Sequence, residues 1–193
     1  MSTPTPLPEP ATIAEAASDI LTRISEHPQY DAFKSASLEY SEDWQCFTGF
    51  PVISEWKLED DAAPLLTEGL RALALKAAVY QHTQDDQAAE IAISVPVDEM
   101  THAMLAQAQL LHRIVSDLGI SIIHQTDQEH IDYMGTGYTA DCYRAAWGDP
   151  PARYWLDHTE VLRRRGVLGE LYQQIGMERS GRQHSIAFEA IAA

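Results

Sequence analysis

The sequence predicts an α+β fold that is predominantly helical and carries a small β-sheet. Long segments with apolar residues at helical spacing predict the helices, and short runs rich in β-branched and aromatic residues predict the strands. Gly and Pro separate these segments. Hydrophobic residues make up 45% of the 193-residue chain, which is typical of a globular protein and too high for a disordered acidic tail.

The N-terminal segment predicts an arm followed by a helix. Residues 1–10 contain four alternating prolines, which favour extended backbone and predict a disordered proline-rich arm. Residues 11–193 are expected to form a single compact domain. Thr12 and Glu15 form a capping box, and the apolar residues that follow predict a helix that ends near His27, just before a proline.

Residues 38–80 predict strands in their first half and a helix in their second half. Aromatic and β-branched residues, interrupted by Gly49 and Pro51, predict two strands or a strand and a wide turn within residues 38–58. A helix is predicted from Asp61 to Tyr80, because a proline follows the acidic start and leucines recur on one face.

Residues 89–124 form the clearest predicted unit. Ile91, Ile93 and Val95 alternate with smaller residues, as in a strand, and Asp98 caps a helix of about twenty residues that ends at Gly119. Residues 120–123 predict a second strand. Strand, helix and strand with tight joints predict a βαβ unit, and an antiparallel arrangement with the helix as a linker is the alternative.

Residues 125–193 predict mostly helices. A polar loop precedes a short helix from Thr139 to Trp147, and two further helices are predicted over residues 152–165 and 168–175. Residues 184–191 predict a closing strand or a last helix.

The negative charge is concentrated in one part of the chain. Residues 1–143 hold 23 Asp and Glu against 6 Lys and Arg, a net charge of −17, whereas residues 144–193 hold 6 against 7, a net charge of +1. The predicted domain is therefore acidic over residues 11–143 and near-neutral, arginine-containing and helical over residues 144–193. Such a field repels nucleic acid and anionic membranes and attracts basic protein surfaces.

This charge suggests that the protein docks on a basic, nucleic-acid-binding protein partner. Inhibitors whose carboxylates stand where phosphates would are analogous in charge. The candidate docking residues lie in predicted loops or at element ends: Glu42, Asp43, Glu59, Asp60, Asp61, Asp85 and Asp86. The triplet of arginines at residues 163–165 either caps a helix end or pairs with the acidic part or a second subunit, so a homo-oligomer is also possible.

A small cytosolic enzyme is the alternative hypothesis. Cys142 lies in the first turn of a predicted helix, where a thiol is activated, with His130 as a general base and Asp127 as the residue that orients it. A buried, inert cysteine is the usual interpretation of such a residue. Whether the protein is an enzyme is left open.

The sequence predicts no cofactor and offers one weak metal motif. Glu99 and His102 share a helix face at Glu-x-x-His spacing, but di-iron bundles need two copies of this motif. Two cysteines, no signal-peptide pattern and no long apolar run predict a cytoplasmic protein that does not enter a membrane.

Overall fold

The computed structural model describes residues 5–43, 52–124, 132–178 and 183–184, and within them the protein is helical. Eight helices lie in this part of the chain: α1 (Pro10–Ser25), α2 (Tyr30–Asp43), α3 (Leu58–Thr83), α4 (Asp86–Ala89), α5 (Val95–Leu105), α6 (Ala108–Leu118), α7 (Tyr138–Trp147) and α8 (His158–Gln174).

The predicted α+β class is wrong. The only strand pairing in the described residues is a two-residue antiparallel ladder, in which β1 (Met177–Glu178) pairs with β2 (Gln183–His184). No βαβ unit forms over residues 89–124. Residues 91–94 and 120–124 are neither helix nor strand and pair with no strand among the described residues, and their isoleucines pack in the main apolar core.

The long helix predicted after Asp98 is two helices. Helix α5 begins earlier, with a proline in its first turn, and the chain breaks helical geometry at Gln107, whose φ and ψ are −84° and 44°. The break changes which residues face the core, so Leu111 and Ile114 are buried while Ala108 is exposed. Gly119 ends α6 with a φ of +64°, as its position in the sequence predicts.

Three other helices confirm the prediction from apolar periodicity. Helices α1, α3 and α7 lie where the sequence places them, although α3 is longer at both ends. Helix α2 was not predicted, and it occupies most of the first half of the segment assigned to strands. Residues 44–51, the centre of that segment, lie outside the described residues.

Helix α3 forms the centre of the fold. It contacts α1, α2, α4, α5 and α7. Its middle is apolar on nearly every side, with residues 72–75 and 77–79 all buried, which is typical of a helix surrounded by protein. Helix α8 packs separately, through a small cluster of Val52, Leu156 and Val161.

A close contact between α3 and α5 lies at Gly69. A Cβ atom there would lie 2.5 Å from Cε of Met104 and 3.3 Å from Cγ of Met100, and both methionines are fully buried. Gly166 in α8 has no atom within 4 Å of its Cβ position, so it provides a matched control.

We expect Gly69→Ala to be at least about 1 kcal/mol less stable than Gly166→Ala. The exposed substitution gains helix propensity of about 0.5–1 kcal/mol, whereas the buried one loses about 1–3 kcal/mol to overpacking. Urea unfolding of both variants measures the difference. Equal stabilisation by the two substitutions would contradict the close contact between α3 and α5.

Candidate functional site

A cluster of ionisable side chains lies beside α3 and α5. It also includes residues from the segment that precedes α5 and from the segment that follows α6. Asp98 and His102 are one turn apart on α5, and His124 follows the C-terminal end of α6. Nε2 of His102 lies 3.8 Å from Oδ2 of Asp98, and Nε2 of His124 lies 3.6 Å from Oδ1 of the same carboxylate. The two imidazole rings meet edge to face with centroids 5.0 Å apart.

A buried ion pair lies directly behind His124. The Lys76 ammonium of α3 donates to the Glu90 carboxylate, and both side chains are only 4% exposed. Nζ of Lys76 also lies 3.3 Å from Nδ1 of His124. Because an ammonium can only donate, Nδ1 accepts this contact and the ring carries its proton on Nε2.

Burial and neighbouring charge set the protonation of the cluster. Burial, assisted by the Lys76 ammonium and by His102, lowers the pKa of His124 to about 3, so this imidazole is neutral at pH 7. Burial raises the pKa of Asp98, although His102 and Lys76 oppose the shift. The cluster therefore presents a neutral imidazole beside a carboxylate that keeps 37% of its side chain exposed.

A cavity of about 460 Å³ lies on the other side of Glu90. Its wall is mostly apolar and includes Tyr133 and Tyr138, with Leu7 from the segment before α1. Three carboxylates also line it, from Asp85, Glu90 and Asp132, and the described lining residues include no lysine or arginine. This volume is in the range of pockets that bind small ligands.

The N-terminal segment forms part of this wall through two hydrogen bonds. The Thr5 hydroxyl donates to Oδ2 of Asp85 at 2.5 Å, and the Tyr138 hydroxyl donates to the Pro8 carbonyl at 2.7 Å. The predicted boundary of a disordered arm at residue 10 stays a prediction, and these contacts weigh against mobility of residues 5–9.

The candidate docking residues have different environments. Glu59 and Asp60 are exposed in the first turn of α3, and Asp86 is exposed at the start of α4. Asp85 caps α4 by accepting from two backbone N–H groups. The side chains of Glu42 and Asp43 lie outside the described part of the protein, although their backbone ends α2.

Asp61, the remaining docking candidate, is a buried structural residue. It accepts hydrogen bonds from Nε and Nη2 of Arg153 at 2.6 and 2.8 Å, and from the Tyr154 hydroxyl at 2.9 Å. The Lys57 backbone N–H donates a further bond at 2.8 Å. The bonds from Arg153 hold the pKa of Asp61 well below its usual range, so this carboxylate is not available to a partner.

The alternative catalytic residues do not form a described site. Cys142 is fully buried in α7, and burial raises the pKa of its thiol to about 11, so the reactive thiolate is scarce at pH 7. Asp127 and His130 lie outside the described residues. Of the weak metal candidates, His102 belongs to the cluster, with Asp98 as its neighbouring carboxylate, while Glu99 is buried.

Sequence reasoning missed Lys76, Glu90, Asp98 and His124 as members of one cluster. Their separation along the chain gives no local motif. The available signal was an acid and a histidine four residues apart, which puts Asp98 and His102 on one face of a helix.

Neither a protein-family model, a curated protein nor a solved structure matches the chain. Among the described residues, no helix combines the length and the apolar character needed to cross a bilayer.

We expect Asp61→Asn to cost about 2 kcal/mol at pH 7, since it removes charge-assisted hydrogen bonds to Arg153. Because the pKa of Asp61 is lower in the folded protein than in the unfolded chain, the stabilisation is complete above the unfolded pKa of about 4 and is lost as the pH falls further. Urea unfolding at pH 7 and pH 3 therefore shows a smaller difference between variant and parent at pH 3.

Asp149→Asn is the control for charge, because that side chain is 92% exposed. It is expected to change stability by less than about 0.5 kcal/mol at either pH. A cost for Asp61→Asn that does not shrink at pH 3 would contradict the lowered pKa.

Proposed function

We propose that the protein docks on a basic, nucleic-acid-binding protein partner, and that the cavity beside Glu90 receives an arginine or lysine side chain of that partner. The observation that carries this proposal is the charge of the cavity, which has three carboxylates among its lining residues and no lysine or arginine among the described ones. The cytosol, which the sequence predicts, is the proposed location.

The chemistry of the cavity wall suits a long cationic side chain. An arginine or lysine has an apolar stem that packs against residues such as Leu7 and Met134, while its charged end stays near a carboxylate. Tyr133 and Tyr138 add aromatic rings to the wall, and such rings attract a cation above their faces. Glu90 already pairs with Lys76, so Asp85 and Asp132 provide the two carboxylates that pair with no lysine or arginine among the described residues. Asp132 lies 2.8 Å from Nδ1 of His158, and Asp85 accepts hydrogen bonds from Thr5 and from the first turn of α4.

Exposed acids outside the cavity support the same partner. Glu59, Asp60 and Asp86 make no ion pair within the described parts of the chain. Together with a net charge of −16, these carboxylates steer a basic surface towards the protein and repel nucleic acid itself. A partner that binds nucleic acid is thus expected to exchange its nucleic acid for this protein.

A labelled hexa-arginine peptide tests the cavity, with binding measured by fluorescence anisotropy. Asp132→Asn removes one exposed charge at the wall and is expected to weaken binding about threefold, the size typical of a rim charge. Ala88→Phe narrows the cavity without changing charge and is expected to weaken binding at least about tenfold, because the arginine side chain then has no room.

The matched control is Asp149→Asn, which changes the net charge by the same amount beyond the far end of α7, about 15 Å from the cavity. It is expected to leave the affinity within about twofold. Equal weakening by Asp132→Asn and Asp149→Asn would show general charge attraction, and full binding by Ala88→Phe would show that the cavity is not the binding site.

A further inference from the structure

We propose that Asp98, His102 and His124 bind a divalent transition-metal ion, for which Zn²⁺ is the best match. Two imidazole nitrogens and one carboxylate oxygen form the ligand set, and nitrogen ligands favour such ions over Mg²⁺ or Ca²⁺. The proposal is independent of the docking function.

The donor atoms are already close to the required geometry. All three lie within 4.8 Å of one another, and the carboxylate oxygens are 3.6 and 3.8 Å from the two imidazole nitrogens. A tetrahedral Zn²⁺ with bonds of about 2.0–2.1 Å holds its ligands about 3.3 Å apart. Small side-chain rotations therefore bring the three atoms onto one ion.

His124 gives an independent indication of a ligand. Its side chain is only 3% exposed, and its Nε2 atom is buried with no hydrogen-bond partner. This atom points towards Asp98, but at 3.6 Å the separation is too long for a hydrogen bond. A buried polar atom without a partner is costly, and an ion between His124 and Asp98 would satisfy it.

The surrounding charge also matches a dication. The carboxylates of Glu90, Asp98 and Glu99 act on this site together with the single ammonium of Lys76, which leaves two negative charges when the histidines are neutral. Asp98 is 37% exposed, so it provides the entry path and leaves room for a water molecule as the fourth ligand.

Lys76 sets one condition for binding. When Nε2 of His124 binds an ion, the ring must carry its proton on Nδ1, which faces the Lys76 ammonium. Lys76 then turns away from the ring, and its ion pair with Glu90 gives it a partner in that position. This movement of Lys76 would change the NMR chemical shifts of the His124 ring.

The test is metal titration of the full chain after chelator treatment, with Zn²⁺ measured by competition against a chromophoric chelator and Co²⁺ by its visible spectrum. We expect one tight Zn²⁺ per chain and intense Co²⁺ bands, which indicate four-coordinate geometry. Asp98→Asn and His102→Gln are each expected to weaken Zn²⁺ binding at least about tenfold. His102 is partly exposed, so His102→Gln is expected to fold.

His112→Gln is the control, because His112 is exposed on α6 outside the cluster. It is expected to bind Zn²⁺ as the parent does, and circular dichroism confirms that all variants are folded. The proposal is overturned if the parent binds no stoichiometric Zn²⁺, or if folded Asp98→Asn and His102→Gln bind as tightly as His112→Gln.

Discussion

The fold depends on partnering the charged side chains that α3 carries into the protein interior. Asp61, Glu68 and Lys76 are each at most 4% exposed on this helix, and a buried charge without a partner is strongly destabilising. Glu68 accepts from the Tyr143 hydroxyl at 2.6 Å and from Nε1 of Trp155 at 2.8 Å. Glu68 also pairs with Arg71 of α3 itself at 2.9 Å. The other partners come from distant parts of the chain, so these buried charges are fully partnered only when the tertiary structure assembles.

This constraint also determines where the C-terminal part attaches. Arg153 and Tyr154 bind Asp61, and Trp155 binds Glu68 two helical turns further along α3. Lys76, further along again, pairs with Glu90 and contacts His124. The ion pair of Lys76 and Glu90 therefore lies between the proposed peptide cavity, which Glu90 lines, and the proposed metal ligands, which Lys76 contacts.

Short-range sequence patterns predicted individual helices, whereas strand pairing and the assembly of the candidate site depend on tertiary contacts. The apolar periodicity of α1 and the leucine periodicity of α3 marked true helices, because these signals act within a few turns. The capping box predicted at Thr12 does not form, since α1 begins at Pro10 and its N-cap is Glu9, which makes no side-chain capping bond. The alternation of Ile91 and Ile93 suggested a strand, but a strand also needs a partner strand, and none lies beside this segment among the described residues. Of the histidine cluster, only His102 was identified from the sequence, since His124 is brought next to α5 by the tertiary structure. Of the carboxylates that line the cavity, only Asp85 was among the docking candidates.

The prolines of the N-terminal segment have a different consequence from the one their composition suggests. Pro6, Pro8 and Pro10 fix φ and reduce the number of conformations open to the unfolded segment. The segment therefore loses less conformational entropy than a proline-free segment would when Thr5 and Leu7 pack at the wall of the cavity. Two hydrogen bonds, to Asp85 and from Tyr138, then suffice to preorganise a wall that a glycine- or serine-rich segment would leave fluctuating.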